Sequence, residues 1–345
     1  MQTITQEQAL SLVEQHWQIT GSAKELPSYA DRNFKIHTSR GNYVFKIANP
    51  NWSYADLDIE NAALLHLAKT CPDLVLPQVM ISRSGQHILP LTTTRGQTCH
   101  MRLLSFVEGE IYANVATRDK LDQTYLQTSL GIAIGKLDRG LQDFQHPSMD
   151  RYVDWSISNL PELREEIAYV KEEDLRQLVT RHTEYFAAHE TTWKQTLPMS
   201  VIHNDANDFN VIVAASAANP HPHVNAIIDF GDMCRHLRIV DLAITIVYAL
   251  QHVEEDQAVR DCIVAILTGY QSQHPLTEQE IRILYHVIMA RLSQSILMAT
   301  RAYRRNPDND YILVSQVGVR RLIRQLDAMD YAHLQDLFLS VLYIH

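Results

Sequence analysis

Val201-Ile202-His203-Asn204-Asp205-Ala206-Asn207-Asp208-Phe209-Asn210 is followed, nineteen residues after Asn210, by Asp229-Phe230-Gly231. A His-x-Asp-x-x-x-x-Asn loop with Asp-Phe-Gly at that distance offers one carboxylate to an attacking hydroxyl, and an Asn and a second Asp to magnesium. Phosphoryl transfer needs little covalent help. It needs an acceptor oxygen in line with the γ-phosphate and positive charge around the phosphate oxygens. Asp205 is therefore the expected catalytic base. Asn210 and Asp229 are expected to be hard oxygen ligands for Mg2+, which keeps several waters and shares substrate phosphates. His203 is expected to support the loop. The short apolar runs Val211-Ile212-Val213 and Val224 to Ile228, separated by a polar segment, predict a hairpin with these residues at its ends. The pattern reads as a phosphotransferase that uses ATP or GTP.

Upstream, Tyr43-Val44-Phe45-Lys46-Ile47-Ala48 alternates as a strand and carries a lysine suited to phosphate contact. Ser53 to Lys69 follows as an amphipathic helix bearing Glu60, and kinase architecture suggests that Glu60 pairs with Lys46 to aim its ammonium at the α- and β-phosphates. Neither Gly-x-x-x-x-Gly-Lys-Ser/Thr nor Gly-x-Gly-x-x-Gly occurs, so no glycine-rich phosphate loop of those types is present. In their place stands Ser28 to Phe34, expected between the first two strands, where Arg32 is either a phosphate contact or a solvent-facing turn residue.

Five segments together resemble the aminoglycoside phosphotransferase and choline kinase superfamily: Asp31-Arg32-Asn33-Phe34, Val44 to Asn49, Arg102 to Gly109, Ile202 to Asn210 and Ile227 to Met233. Within it they look most like the hydroxylysine kinase branch, and like the kinase-type domain fused ahead of pyridoxal-phosphate phospho-lyases. The resemblance implies an α+β, two-lobed protein-kinase-like fold, with a small antiparallel β-sheet lobe at 1–107 and a larger, mainly helical lobe at 108–345. By position it implies Asp205 as base, Asn210 and Asp229 as magnesium ligands and Lys46 as the phosphate-binding lysine. Ser105-Phe106-Val107 matches the hinge whose backbone holds the nucleotide base, and Asp241 matches an acid that braces the catalytic loop. Asn204 stands where stand-alone members often have Gly, a form that looks more like the fused domains.

The acceptor is expected to be an amine-bearing alcohol. Arg291 lies among Met289, Leu292 and Ile296, so a buried guanidinium there would want a carboxylate, from a substrate amino acid or from an internal Asp or Glu. Asp232 and Glu108 are candidates to face a substrate ammonium. The acceptor classes that fit are hydroxylysine-like amino acids, homoserine, choline, ethanolamine and aminoglycosides. A kinase-like binding or regulatory module is the alternative, but the full set of Lys46, Asp205, Asn210 and Asp229 favours catalysis.

Composition bounds the remaining choices. A 345-residue chain that is 46% hydrophobic can bury a large core, and a net charge of −10 argues against a nucleic-acid partner. The four cysteines are scattered, without a Cys-x-x-Cys pair, and read as buried thiols in a reducing compartment. Thr3 to Trp17 lacks the basic start of a signal peptide, and no run reads as a membrane span, so a cytoplasmic protein without a membrane partner is expected. A homodimer is left open. Further helices are expected at Asp119–Phe144, Val153–Glu165, Glu173–Trp193, Ile239–His252, Val259–Tyr270, Glu278–Tyr303 and Tyr311–Met329, and strands at Gln86–Leu91 and His100–Phe106.

Overall fold

The computed structural model describes residues 4–28, 31–92, 96–118, 121–215, 220–306 and 316–343. The chain forms two compact units, one of Met1–Glu108 with Phe144–Met149 and the other of Gly109–Asp143 with Asp150–His345.

The first unit is a five-stranded antiparallel sheet with two helices. Its strands are β1 (Ser22–Leu26), β2 (Arg32–Thr38), β3 (Gly41–Ile47), β4 (Leu89–Thr92) and β5 (Thr98–Ser105), in the order β1-β2-β3-β5-β4. Strand alternation sends Phe34, Ile36, Phe45, Ile47, Met101 and Leu103 to a core that also takes Ala9, Val13 and Trp17 of α1 (Gln6–Trp17). Arg32, expected in a turn, is instead the first residue of β2 and pairs with Ile47; Tyr29 and Ala30 lie outside the described residues. Helix α2 (Tyr54–Thr70) begins where the sequence suggests. Ser53 caps it, and Ser53 and Asp56 close a reciprocal capping box that satisfies two otherwise orphaned N–H groups.

The second unit is mainly helical: α3 (Tyr112–Val115), α4 (Gln123–Leu141), α5 (Arg164–Ile167), α6 (Glu173–Thr196), α7 (Ile239–Leu250), α8 (Asp256–Gln273), α9 (Glu278–Arg305), α10 (Val317–Ala328) and α11 (Tyr331–Ser340). The segment expected to be helical at 153–165 is a 3-10 helix, Ile157–Leu163, running into the single turn of α5. The first residues of the helix expected from Tyr311 lie outside the described residues. Helices α4 and α8 approach closely through glycines: a Cβ on Gly131 would come within 2.0 Å of the Ile266 carbonyl oxygen, and one on Gly269 within 2.1 Å of that of Thr128. Helix α9 is long and apolar enough to cross a membrane by length and composition, contrary to the sequence reading, but 78% of its most apolar window is buried within the protein. It is a core helix whose apolar residues face α6 and α7.

Two small sheets complete this unit and position its loops. One pairs β7 (Met199–Ile202) with β10 (Cys234–Leu237); the other runs β6 (Glu110–Ile111), β8 (Val211–Ala214), β9 (His223–Ile227). The loop 203–210 joins β7 to β8, and 228–233 joins β9 to β10, so antiparallel pairing in both sheets sets the two loops side by side. The expected 211–228 hairpin is thus present, with a register shift at Ile212/Val213.

Candidate active site

The loop 203–210 is built around one carboxylate. Asn207 Nδ2 donates to Asp205 Oδ1 at 2.9 Å, and Asn210 Nδ2 donates to Asp205 Oδ2 at 2.8 Å and to the Asp205 carbonyl at 2.9 Å. Two amides therefore hold the carboxylate from either side. Burial pushes the Asp205 carboxyl up to about 7, the negative charges of Asp232 and Asp229 add to the shift, and Arg291 and the Asn207 bond oppose it. Burial and the charge of Asp229 raise Asp232 as well, and Arg291 opposes them. Three carboxylates thus converge on one region with a single fully buried guanidinium beside them.

His203 joins the two loops. Its Nδ1 accepts the Asp205 N–H at 3.3 Å while Nε2 donates to the Ile228 carbonyl at 3.1 Å, which places the ring proton on Nε2. Its ring meets that of Phe230 edge-on at 4.7 Å. Beneath it, Asp241 at the start of α7 accepts the N–H groups of His203 at 2.8 Å and Asn204 at 2.7 Å. Both loops contain a non-glycine residue in the left-handed region, Asn204 at φ 65° and Asp229 at φ 63°. Asn and Asp are among the side chains that tolerate it best, so Asn204 fills a place that otherwise suits Gly. On the far side of the second loop, Arg151 donates to the carbonyls of Gly231 and Met233.

Arg291 is 1% exposed. Its Nη1 donates to the Trp155 carbonyl at 3.1 Å and to Gln294 Oε1 at 2.9 Å, Nη2 makes one long contact of 3.5 Å to the Tyr248 hydroxyl, and Nε has no partner. The guanidinium lies 5.0 Å from the ring centre of Trp155 and 5.8 Å from that of Tyr248. Its charge nevertheless acts on two internal acids, holding down Asp205 and Asp232.

In the first unit, register sets Lys46 of β3 opposite Arg102 of β5. Glu60 is ion-paired with Arg102, whose Nη1 also donates to Asn61 Oδ1 at 3.0 Å. Lys46 is buried at 8% exposure, and its charge is the largest opposing influence on Asp31, whose carboxyl burial raises. Arg32 is held by Glu25 of β1, with Nε 2.9 Å from Oε1, because cross-strand neighbours at the sheet edge meet before any ligand does. Ser105 and Phe106 N–H groups donate to the carbonyls of Gln78 and Asn42, each at 2.9 Å. Glu108 accepts from Asn42 Nδ2 at 2.6 Å and has Lys35 at 3.8 Å.

Comparison with known proteins shows the family. Residues 22–276 match the phosphotransferase enzyme family. The chain belongs to that family. It is similar to hydroxylysine kinase of Mus musculus, 26% identical over 97% of this chain and 92% of that protein, and to homoserine kinase of Zymomonas mobilis, 26% identical over 79% of this chain and 77% of that one. Among solved structures it resembles a microcompartment-associated aminopropanol kinase, with TM-score 0.70, 15% identity and 91% and 95% coverage of the two chains. It also resembles an amicoumacin kinase bound to AMP-PNP, Ca2+ and amicoumacin, with TM-score 0.69, 14% identity and 96% and 97% coverage. As a member of this phosphotransferase family the chain has the protein-kinase-like fold and is an enzyme, a small-molecule kinase that phosphorylates a hydroxyl group.

Several residues of this candidate site escape sequence reasoning. Asn207 sits inside the quoted loop, and its alternation with Asp205 was a local signal for it. Arg102 lies in a quoted segment, but only the packing of helix α2 on β5 shows that it meets Glu60. Arg151, Trp155 and Tyr248 have no local signal, because their partners are 80, 136 and 43 residues away.

Proposed function

We propose that this kinase transfers the γ-phosphate of ATP or GTP to the hydroxyl of a hydroxylated amino acid. Asp205 orients the acceptor hydroxyl and takes its proton. Lys46 steadies the phosphates, with Glu60 and Arg102 fixing helix α2 against β5 behind it. Ser105, Phe106 and Val107 present the hinge backbone to the base. Since the Ser105 and Phe106 N–H groups are committed to protein carbonyls, Val107 N–H and the hinge carbonyls carry that contact. Arg32 has the weaker claim to phosphate, being held by Glu25.

The residues present suit a divalent cation. Asn210 and Asp229 would hold it, and the mutual repulsion of Asp229, Asp232 and Asp205 favours a cation beside them. No group of three metal-ligating His, Cys, Asp or Glu side chains occurs among the described residues, as expected where phosphates and water complete the shell. When bound, the cation supplies positive charge to the transferring phosphoryl group.

One observation carries the acceptor reading: the Arg291 guanidinium is buried, its Nε has no partner, its hydrogen bonds go to no carboxylate, and its charge acts on Asp205 and Asp232. A buried unpaired charge is costly, and a substrate carboxylate answers it. Asp232 would face the substrate ammonium, and Glu108, engaged by Asn42, is the lesser candidate. The relatives named hydroxylysine kinase and homoserine kinase act on substrates of this chemistry by their names. The test is nucleotide consumption with Mg2+ across hydroxylysine, homoserine, choline, ethanolamine, methylthioribose and aminoglycosides. Turnover confined to hydroxylated amino acids is expected; equal turnover of choline or ethanolamine overturns the acceptor reading.

A further inference from the structure

Below the catalytic loop, two carboxyl groups meet where no water reaches. Asp138 of α4 and Asp241 of α7 are both 0% exposed, and Asp241 stands close enough to act on the Asp138 carboxyl through both its charge and its side chain. Two carboxylates cannot sit so close in a low-dielectric interior while both are charged, since like charges there repel strongly. One oxygen must carry a proton.

The surrounding bonds decide which. Asp241 accepts two backbone N–H donors, from His203 on Oδ2 and Asn204 on Oδ1, and such donors favour the anionic form. Asp138 has one donor, the Tyr270 hydroxyl, on Oδ2 at 2.7 Å. Its Oδ1 is buried and has no donor pointing to it, which is what an oxygen that is itself the donor looks like. The charge of Arg238 works against the rise of the Asp138 carboxyl, but its hydrogen bonds go to other groups. Arg238 gives Nε and Nη2 to Glu280 at 2.6 and 2.7 Å, Nη1 to His274 at 2.7 Å and Nη2 to the Pro275 carbonyl at 2.8 Å, so its donors are committed elsewhere.

We propose that Asp138 is a protonated carboxylic acid whose Oδ1–H donates to Asp241, making it the positioning residue that holds Asp241 under the catalytic loop. The resulting chain of bonds runs from the Tyr270 hydroxyl on α8, through Asp138 on α4 and Asp241 on α7, to the backbone of His203 and Asn204, two residues before the proposed base. Burial together with the charge of Asp241 raises the Asp138 carboxyl well above the ordinary range, in keeping with that geometry. The α4–α8 glycine contacts hold Tyr270 within reach of Asp138. The role in turnover rests on Asp205 being the base, whereas the protonation state does not.

The test separates the two. Infrared difference spectra of the whole protein, wild type against Asp138→Asn, should show a protonated-carboxyl carbonyl band at neutral pH that shifts in D2O and is missing from the variant. Asn keeps both bonds, since its amide donates to Asp241 and accepts from Tyr270, so it should retain most of kcat. Asp138→Leu removes the donor and should lower kcat about 10- to 100-fold, the scale of an ångström-level misplacement of a catalytic group, with nucleotide KM little changed. A spectrum without that band overturns the protonation, and an Asn variant as impaired as Leu overturns the positioning role. Should Asp138→Leu fail to fold, the band and the kcat of the Asn variant still decide. If the band is present and no acceptor is ever phosphorylated, it is the kinase reading that fails.

Discussion

Replacing Arg291 by Met tests the acceptor reading most directly. Met fills similar length and keeps apolar contact with Trp155 and Tyr248, so the change removes charge and donors more than volume. Of the five guanidinium N–H groups, Nη1 uses two and Nη2 makes one long contact, while Nε is unpartnered. Nε–H and the second Nη2–H form one edge of the fork, the pair that grips a carboxylate bidentately. Hydrogen bonds to charged groups contribute about 1.5–3 kcal/mol each. Taking about 3 kcal/mol for the pair, since the free site already spends something on water, gives a loss of about 100-fold in kcat/KM. That loss should fall on acceptors with a carboxylate and spare their decarboxylated analogues. The assay compares kcat/KM for a hydroxylated amino acid and its amine analogue in wild type and variant, with Tm measured on both to show that the fold persists. An equal loss on both acceptors would refute the reasoning, because it would mean that Arg291 supports Asp205 or the packing around it instead of binding the acceptor.

Asp205→Asn should leave nucleotide affinity nearly unchanged and lower kcat by roughly two to four orders of magnitude, the scale for a positioned general base; near-normal turnover rules it out as base. Asp229→Ala should abolish magnesium-dependent nucleotide binding by calorimetry, because Asn210 alone brings no charge to the metal. Burial lowers His182, His274 and His286 to about 4, against about 6.5 in an unfolded chain. The unfolded state therefore binds more protons between those values, so the stability they contribute is full above about pH 6.5 and is lost as pH falls toward about 4, at about 1.4 kcal/mol per pH unit for each. Tm should fall across that window, and His274→Gln, which still accepts from Arg238, should flatten the slope; a flat wild-type profile contradicts it.

What the sequence determined by itself was chemistry that is local in the chain. His203, Asp205 and Asn210 lie within eight residues, and Asp-Phe-Gly follows at a distance set by one hairpin, so their types and spacing are visible without a fold. The start of α2 was equally legible, because Ser53 and Asp56 cap it through contacts three residues apart. The tertiary structure alone decided which distant groups meet. Strand register put Arg102 opposite Lys46, the packing of α2 brought Glu60 to Arg102, and helix packing brought Tyr270 to Asp138 across 132 residues. It also carried the Trp155 carbonyl to Arg291 across 136 residues and moved Arg32 from an expected turn into a strand edge beside Glu25. A side chain shows its own reactivity in the sequence, but burial and the partner that sets its charge depend on contacts between elements, and those exist only once the chain has packed.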